Sequence, residues 1–205
     1  MKKISILNYG LGNIWSLYNS INKVSNNVSL YTETKNKDFD ILFIPGVGSF
    51  SKAINLIKEN KFNSIINQAK NDEKIVIGIC LGMHLLFKTG TENGFTNGLN
   101  FIDGTVNILK DDKDFKLPNI GWKTIELTKN CDLSFMKKFN NKKFYFVHSY
   151  AASPENEEDT CAVTRYKEVN FVSMVRKKNV IGMQFHPEKS GDNGLELIKN
   201  IINNF

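Results

Sequence analysis

Cys80 lies in the middle of residues 75–87, IVIGICLGMHLLF. Ile75, Val76 and Ile77 are apolar at every position, which fits a strand buried on both faces. Gly78 and Gly82 bracket the cysteine. The apolar spacing then lengthens to three and four through Met83, Leu86 and Phe87. This pattern predicts a buried strand that turns sharply into a helix at Cys80. Such a turn lifts a nucleophile above a sheet and aims it at a helix N-terminus, whose free N–H groups favour a thiolate. The competing reading is a small buried cysteine beside a tight turn.

A cysteine nucleophile needs a base, and the base an orienting group. The chain has three histidines, His84, His148 and His186. His84 follows Cys80 by four residues and so shares its helix face. His148 ends the strand-like run of residues 144–150, FYFVHSY. His186 ends another within residues 182–190, GMQFHPEKS. His186 is the best base, because Glu188 lies two residues on and shares its side of an extended backbone. Pro187 restricts His186 to that conformation. A carboxylate bound to one imidazole nitrogen determines which nitrogen serves as the base.

Elements must bring these groups together. Ile4–Leu7, Val28–Tyr31, Ile41–Ile44 and the Cys80 segment read as strands. Ile14, Leu17, Tyr18, Ile21 and Val24 recur at helical spacing, as do Ile54 with Ile57 and Phe62, Ile65, Ile66 and Ala69. This alternation predicts an α/β fold with a doubly wound, mostly parallel sheet, whose ligands bind at the carboxyl ends of the strands. Glycine-rich turns at 9–13, 45–49 and 78–82 would line that rim. Residues 89–100 read as loop and Leu133–Phe139 as a short helix. Thr105–Leu109, Thr124–Leu127, Phe144–Val147, Cys161–Tyr166, Phe171–Val175 and Val180–Phe185 read as short strands. Their close spacing predicts hairpins and an antiparallel extension. Residues 153–159 form an acidic loop, and Leu195, Ile198, Ile201 and Ile202 a closing helix. No linker or repeat divides the chain, so residues 1–205 are expected to form one domain.

Composition narrows the class. Lys and Arg exceed Asp and Glu by 27 to 21, a net charge of +6. The lysines are scattered, without a basic run interleaved with aromatics, so no nucleic-acid partner is expected. No apolar stretch resembles a signal peptide or a membrane span, and three widely spaced cysteines fit a reducing compartment. A cytoplasmic enzyme is expected. The cysteines lack metal-ligand spacing, so neither metal nor organic cofactor is expected.

Six motifs in chain order carry a resemblance: NYGLGN (8–13), PGVG (45–48), GICLGM (78–83), PNIGW (118–122), VHSY (147–150) and QFHPEKS (184–190). Together they resemble class I glutamine amidotransferases, and more narrowly the glutaminase subunits of imidazole glycerol phosphate synthases, from residue 4 to about residue 202. The resemblance implies that Cys80 attacks the side-chain amide of L-glutamine, that His186 shuttles protons and that Glu188 orients it. It implies oxyanion donors at Leu81 and at Gly48, or at Val47 after a peptide flip that a cyclase partner controls. It places Gly46, His84, Glu92, Ser149 and Tyr150 against glutamine. Gly12, Asn13, Trp122, Tyr145 and Lys189 would face the cyclase, a (β/α)₈ barrel, in a heterodimer that channels ammonia for histidine biosynthesis.

Two positions depart from the family pattern. His84 stands where Gln is usual, and Lys123 where Asn commonly follows Gly-Trp. They leave open a paralogous glutaminase serving surface-sugar amidation. An inactive scaffold that keeps the fold is a rival of another class, as is a papain-like protease. The intact Cys80, His186 and Glu188 speak against the scaffold. The glycine turn and the His-Pro-Glu run speak against the protease.

Overall fold

The computed structural model describes residues 2–32, 38–109, 116–166 and 168–205, the side chain of Tyr166 excepted. In chain order the elements are β1 (Ile4–Leu7), α1 (Ile14–Asn22), β2 (Val28–Tyr31), β3 (Ile41–Gly46), α2 (Phe50–Glu59), α3 (Phe62–Asn71), β4 (Ile75–Cys80) and α4 (Leu81–Leu85). There follow β5 (Phe87–Gly90), β6 (Thr96–Asn97), β7 (Ile102–Ile108), β8 (Asn119–Thr124), β9 (Glu126–Leu127), β10 (Lys143–His148) and β11 (Tyr150–Pro154). The chain closes with β12 (Thr160–Tyr166), β13 (Val169–Lys177), β14 (Val180–Met183) and α5 (Gly191–Asn204).

The main sheet has the order β2-β1-β3-β4-β14-β13-β12-β9. Its first five strands are parallel, and β13, β12 and β9 continue it antiparallel. The expected doubly wound sheet with an antiparallel extension is therefore present. Continuous apolar runs serve both faces. Ile41 and Phe43 pack with Ile77 and Ile79 under α1 and α5. Leu42, Ile44 and Val76 pack on the opposite side with α2 and α3. Each such fully buried side chain contributes about 1.5–3 kcal/mol of transfer free energy. Helix α2 starts at Ser49, whose hydroxyl accepts from the Lys52 N–H at 3.4 Å, an N-cap that satisfies one free helical donor.

Several local expectations are corrected. Residues 89–100 are not merely loop, because β5 pairs with β6 antiparallel and with β7 parallel. The helix after Cys80 is only five residues long, and Phe87 belongs to β5. The carbonyls of Leu85, Leu86 and Phe87 accept from Leu99, Phe101 and Asn100, so no further helical turn can use them. Residues 124–127 split between two sheets at Ile125. Strand β11 begins inside the VHSY motif at Tyr150, while the short helix expected at 133–139 is present as a 3₁₀ helix over residues 134–139.

Candidate active site

Strands β3, β4 and β14 are hydrogen-bonded neighbours running the same way. Gly46 lies opposite Cys80, and Met183 opposite Ile79. The turns that follow these strands therefore sit side by side on the carboxyl rim. Cys80 ends β4 with φ 53° and ψ −111°, a strained conformation for a residue with a Cβ. Helix α4 starts at once behind it, pressed against β3. A Cβ at Gly82 would run into the Ile44 carbonyl oxygen, and one at Gly78 into the Gly82 carbonyl. Both positions thus require glycine for the turn to close.

His186 lies three residues beyond β14 in extended backbone, and Pro187–Lys189 is a 3₁₀ turn. Glu188 therefore meets His186 across a turn, not along a strand as expected. The contact is direct all the same: His186 Nδ1 and Glu188 Oε1 are 2.7 Å apart, and both side chains are buried. The backbone of His186 is clamped to β10. Its N–H donates to the Tyr145 carbonyl at 2.9 Å, and its own carbonyl accepts from Ser190 Oγ at 2.6 Å. Phe185 is wedged between Phe144 and Phe146, with ring centroids 4.3 and 5.8 Å away. His186 Nε2 is buried without a hydrogen-bond partner.

Beside Cys80 is a cavity of about 400 Å³, whose wall includes Val47, Gly48, Leu81, His84, Glu92, Ser149 and Tyr150. Glu92 is anchored there, one carboxylate oxygen accepting from the Phe50 N–H at the start of α2 at 2.7 Å. Gly46 does not line the cavity. It lies behind the wall, where a Cβ would stand 2.6 Å from Tyr9 Oη. A larger cavity, about 780 Å³, opens between β11 and β13, and neither a cysteine nor a histidine lines it.

The matching family model, Glutamine amidotransferase class-I, spans residues 5–204. This chain belongs to that family. It is 38% identical over 197 residues to the imidazole glycerol phosphate synthase subunit HisH of Oceanobacillus iheyensis, covering 96% of each chain. It is 37% identical over 205 residues to the protein of the same name from Thermotoga maritima, covering 98% of this chain and 96% of that one. Among solved structures, PurLQS from Thermotoga maritima superposes with a TM-score of 0.76 at 16% identity, over 100% of this chain and 99% of that one, a likeness of fold.

The other residues expected at the amidotransferase site divide by position. Gly12 packs on the backbone of Pro45 and Gly46, where a Cβ would sit 3.3 Å away. Asn13 precedes α1. Trp122 is 51% exposed and meets the half-buried Tyr145 edge-on at 6.1 Å. Lys189 is exposed. Two contacts have no signal in spacing. Tyr9 Oη donates to the Pro45 carbonyl at 2.7 Å, bracing the strand before Val47. Gln184 bonds His84 Nε2 at 2.7 Å, although the sequence shows no obvious partner for that histidine.

One of the three histidines is held charged and the other two neutral. Burial opposes a charged His186, but the Cys80 sulfur and the Glu188 carboxylate outweigh it and raise its pKa to about 10. Burial pushes His84 down to about 4, against the Gln184 hydrogen bond. Burial pushes His148 down to about 3, although its Nδ1–H donates to the Tyr150 carbonyl at 2.7 Å. Its Nε2 accepts from Asn119 Nδ2 at 2.8 Å. His148 is thus a neutral strut. Below an unfolded pKa of about 6.5, the unfolded chain protonates at His84 and His148 while the folded chain does not. Each should cost about 1.4 kcal/mol of stability per pH unit down to its folded pKa. The His186 contribution has the opposite sign, being complete below 6.5 and lost as pH rises through about 10. Urea unfolding from pH 7 to 4.5 should show a loss of a few kcal/mol. His84→Gln should remove roughly half of that slope, and an unchanged slope would contradict a buried neutral His84.

Proposed function

We propose that this amidotransferase hydrolyses L-glutamine at Cys80 and passes the ammonia to a cyclase subunit. The observation carrying this reading is the strained Cys80 turn beside the His186–Glu188 pair, next to a cavity of substrate size. Charged His186 favours a thiolate partner. The thiolate attacks the amide carbon of glutamine, and the developing oxyanion takes N–H donors from Leu81 and from the Val47–Gly48 turn. One such donor is worth roughly 3–4 kcal/mol in acyl-transfer sites. His186 gives its proton to the amide nitrogen, which leaves as ammonia and completes the γ-glutamyl thioester. Neutral His186 then takes a proton from water as that water attacks, and glutamate departs as the thiolate is restored. Glu188 stabilises the imidazolium at each return. Glu92, held through one oxygen, leaves the other for the α-amino group of glutamine, with Ser149 and Tyr150 completing the pocket.

The named relatives support imidazole glycerol phosphate synthase as the assembly, with a (β/α)₈-barrel cyclase as partner and histidine biosynthesis as the pathway. Val47 is 41% exposed and Gly48 has φ 102°. The turn that would supply the second oxyanion donor thus has an exposed tip and a glycine able to reorient. Glutamine turnover by the isolated subunit should rise by about two orders of magnitude or more when the cyclase and its ligand complete this donor set. Full activity without any cyclase would overturn the partner-controlled turn.

A further inference from the structure

His84 and Gln184 are both buried, and Gln184 bridges His84 to the nucleophile. Its Oε1 lies 2.7 Å from His84 Nε2, and its Nε2 lies 3.9 Å from Cys80 Sγ. We propose that His84 is a positioning residue that, through Gln184, holds an amide N–H on the Cys80 sulfur. The inference rests on Cys80 being the nucleophile.

An amide has one donor end and one acceptor end, and a buried amide needs a partner at each to choose its orientation. A neutral imidazole with its proton on Nε2 donates to Oε1 and thereby turns the amide nitrogen toward sulfur. The reverse orientation would set a carbonyl oxygen against a thiolate. Burial keeps His84 neutral through the working range, and the 2.7 Å contact to Oε1 requires the tautomer that carries its proton on Nε2. It also removes His84 as a rival base, because the nitrogen facing the relay carries its proton and is engaged.

The other groups around the sulfur make this donor matter. The Val147 carbonyl lies 3.7 Å from Sγ and accepts from the thiol, but it repels a thiolate. The Tyr9 phenol is buried and stays protonated. His186 is the only charged donor described there, and its proton leaves with ammonia in the first half of the reaction. The Gln184 N–H cannot leave. It therefore still faces the sulfur when the thioester breaks and the thiolate departs. The relay should act on turnover more than on glutamine affinity.

The test compares His84→Met, His84→Gln and Gln184→Glu by iodoacetamide labelling from pH 5 to 10, on the subunit alone and with its cyclase. Peptide mapping scores Cys80 apart from Cys131 and Cys161. Met and Gln are unbranched and of similar length, and differ in the amide. His84→Met should slow Cys80 labelling at pH 7 about tenfold and move its half-maximal point up about one pH unit. It should lower kcat while KM stays within about twofold. His84→Gln should keep the Cys80 labelling profile of the unaltered chain, because its amide supplies the N–H that the imidazole gave. Gln184→Glu should be slower than His84→Met, since it replaces the donor with a carboxylate, and it carries the test if His84→Met does not melt cooperatively. Identical profiles for His84→Met and His84→Gln would reduce His84 to packing and overturn the relay. If Cys80 of the unaltered chain labels no faster than the buried Cys161, the nucleophile reading itself fails, a result distinct from failure of the relay.

Discussion

Cys80→Ala is expected to lower glutamine hydrolysis by about 10⁴-fold or more, since removing the nucleophile removes the covalent route. What remains would be the contribution of the oxyanion donors and of binding. The variant should still fold and still bind the cyclase. Cys80 is 6% exposed, so the partner-facing rim loses nothing. Alanine also keeps a Cβ at φ 53°, so the strain of the turn is retained and the melting temperature should hardly move. The measurement is ammonia release by the complex with exogenous glutamine, alongside complex formation by size exclusion. Exogenous ammonia should still drive the cyclase in the variant complex. Residual glutamine turnover within a factor of ten would remove Cys80 from the nucleophile's role.

Gly82→Ala should damage the fold and the site together. The added methyl meets the carbonyl oxygen of Ile44, which belongs to the interior strand β3 opposite Gly78. Neither atom set is the end of a flexible side chain. The backbone of α4 has to lift away from the sheet, and overpacking of this kind costs about 3 kcal/mol or more. Lifting α4 carries Cys80 and the Leu81 N–H with it. A displacement near 1 Å at reacting groups costs about a hundredfold in rate. Urea unfolding and coupled glutaminase assays should therefore both change. A loss below about 0.5 kcal/mol, the range of an ordinary surface substitution, would mean the turn closes without glycine.

The sequence made the placement of the candidate site more legible than the architecture around it. Cys80, His186 and Glu188 come together as their motifs imply, because short motifs at strand ends carry their own geometry. Two-residue spacing pairs His186 with Glu188 along a strand, whereas a 3₁₀ turn is what brings them within 2.7 Å. Apolar runs at residues 41–44 and 75–79 revealed the buried parallel strands. The helix after Cys80 was overrun at Phe87, because residues 98–102 from another part of the chain capture its last carbonyls. Strands β5, β6 and β11, and β8 before Thr124, are not evident from sequence for a related reason: their hydrogen bonds are decided by distant partners. Gln184 sits in plain view two residues before His186, yet only tertiary packing reveals that it joins His84 to Cys80.

The place of β14 in the sheet has a consequence for synthesis. This strand, residues 180–183, inserts between β4 and β13 and hydrogen-bonds to both. Its neighbour β4 emerges from the ribosome about a hundred residues earlier and waits with one edge unpaired. The same late insertion brings His186 to Cys80. A nascent or truncated chain ending before β14 would thus hold Cys80 without His186, the proposed base, and an open sheet edge that invites misassembly. Under the proposed mechanism, glutamine hydrolysis therefore begins only once β14 has closed the sheet.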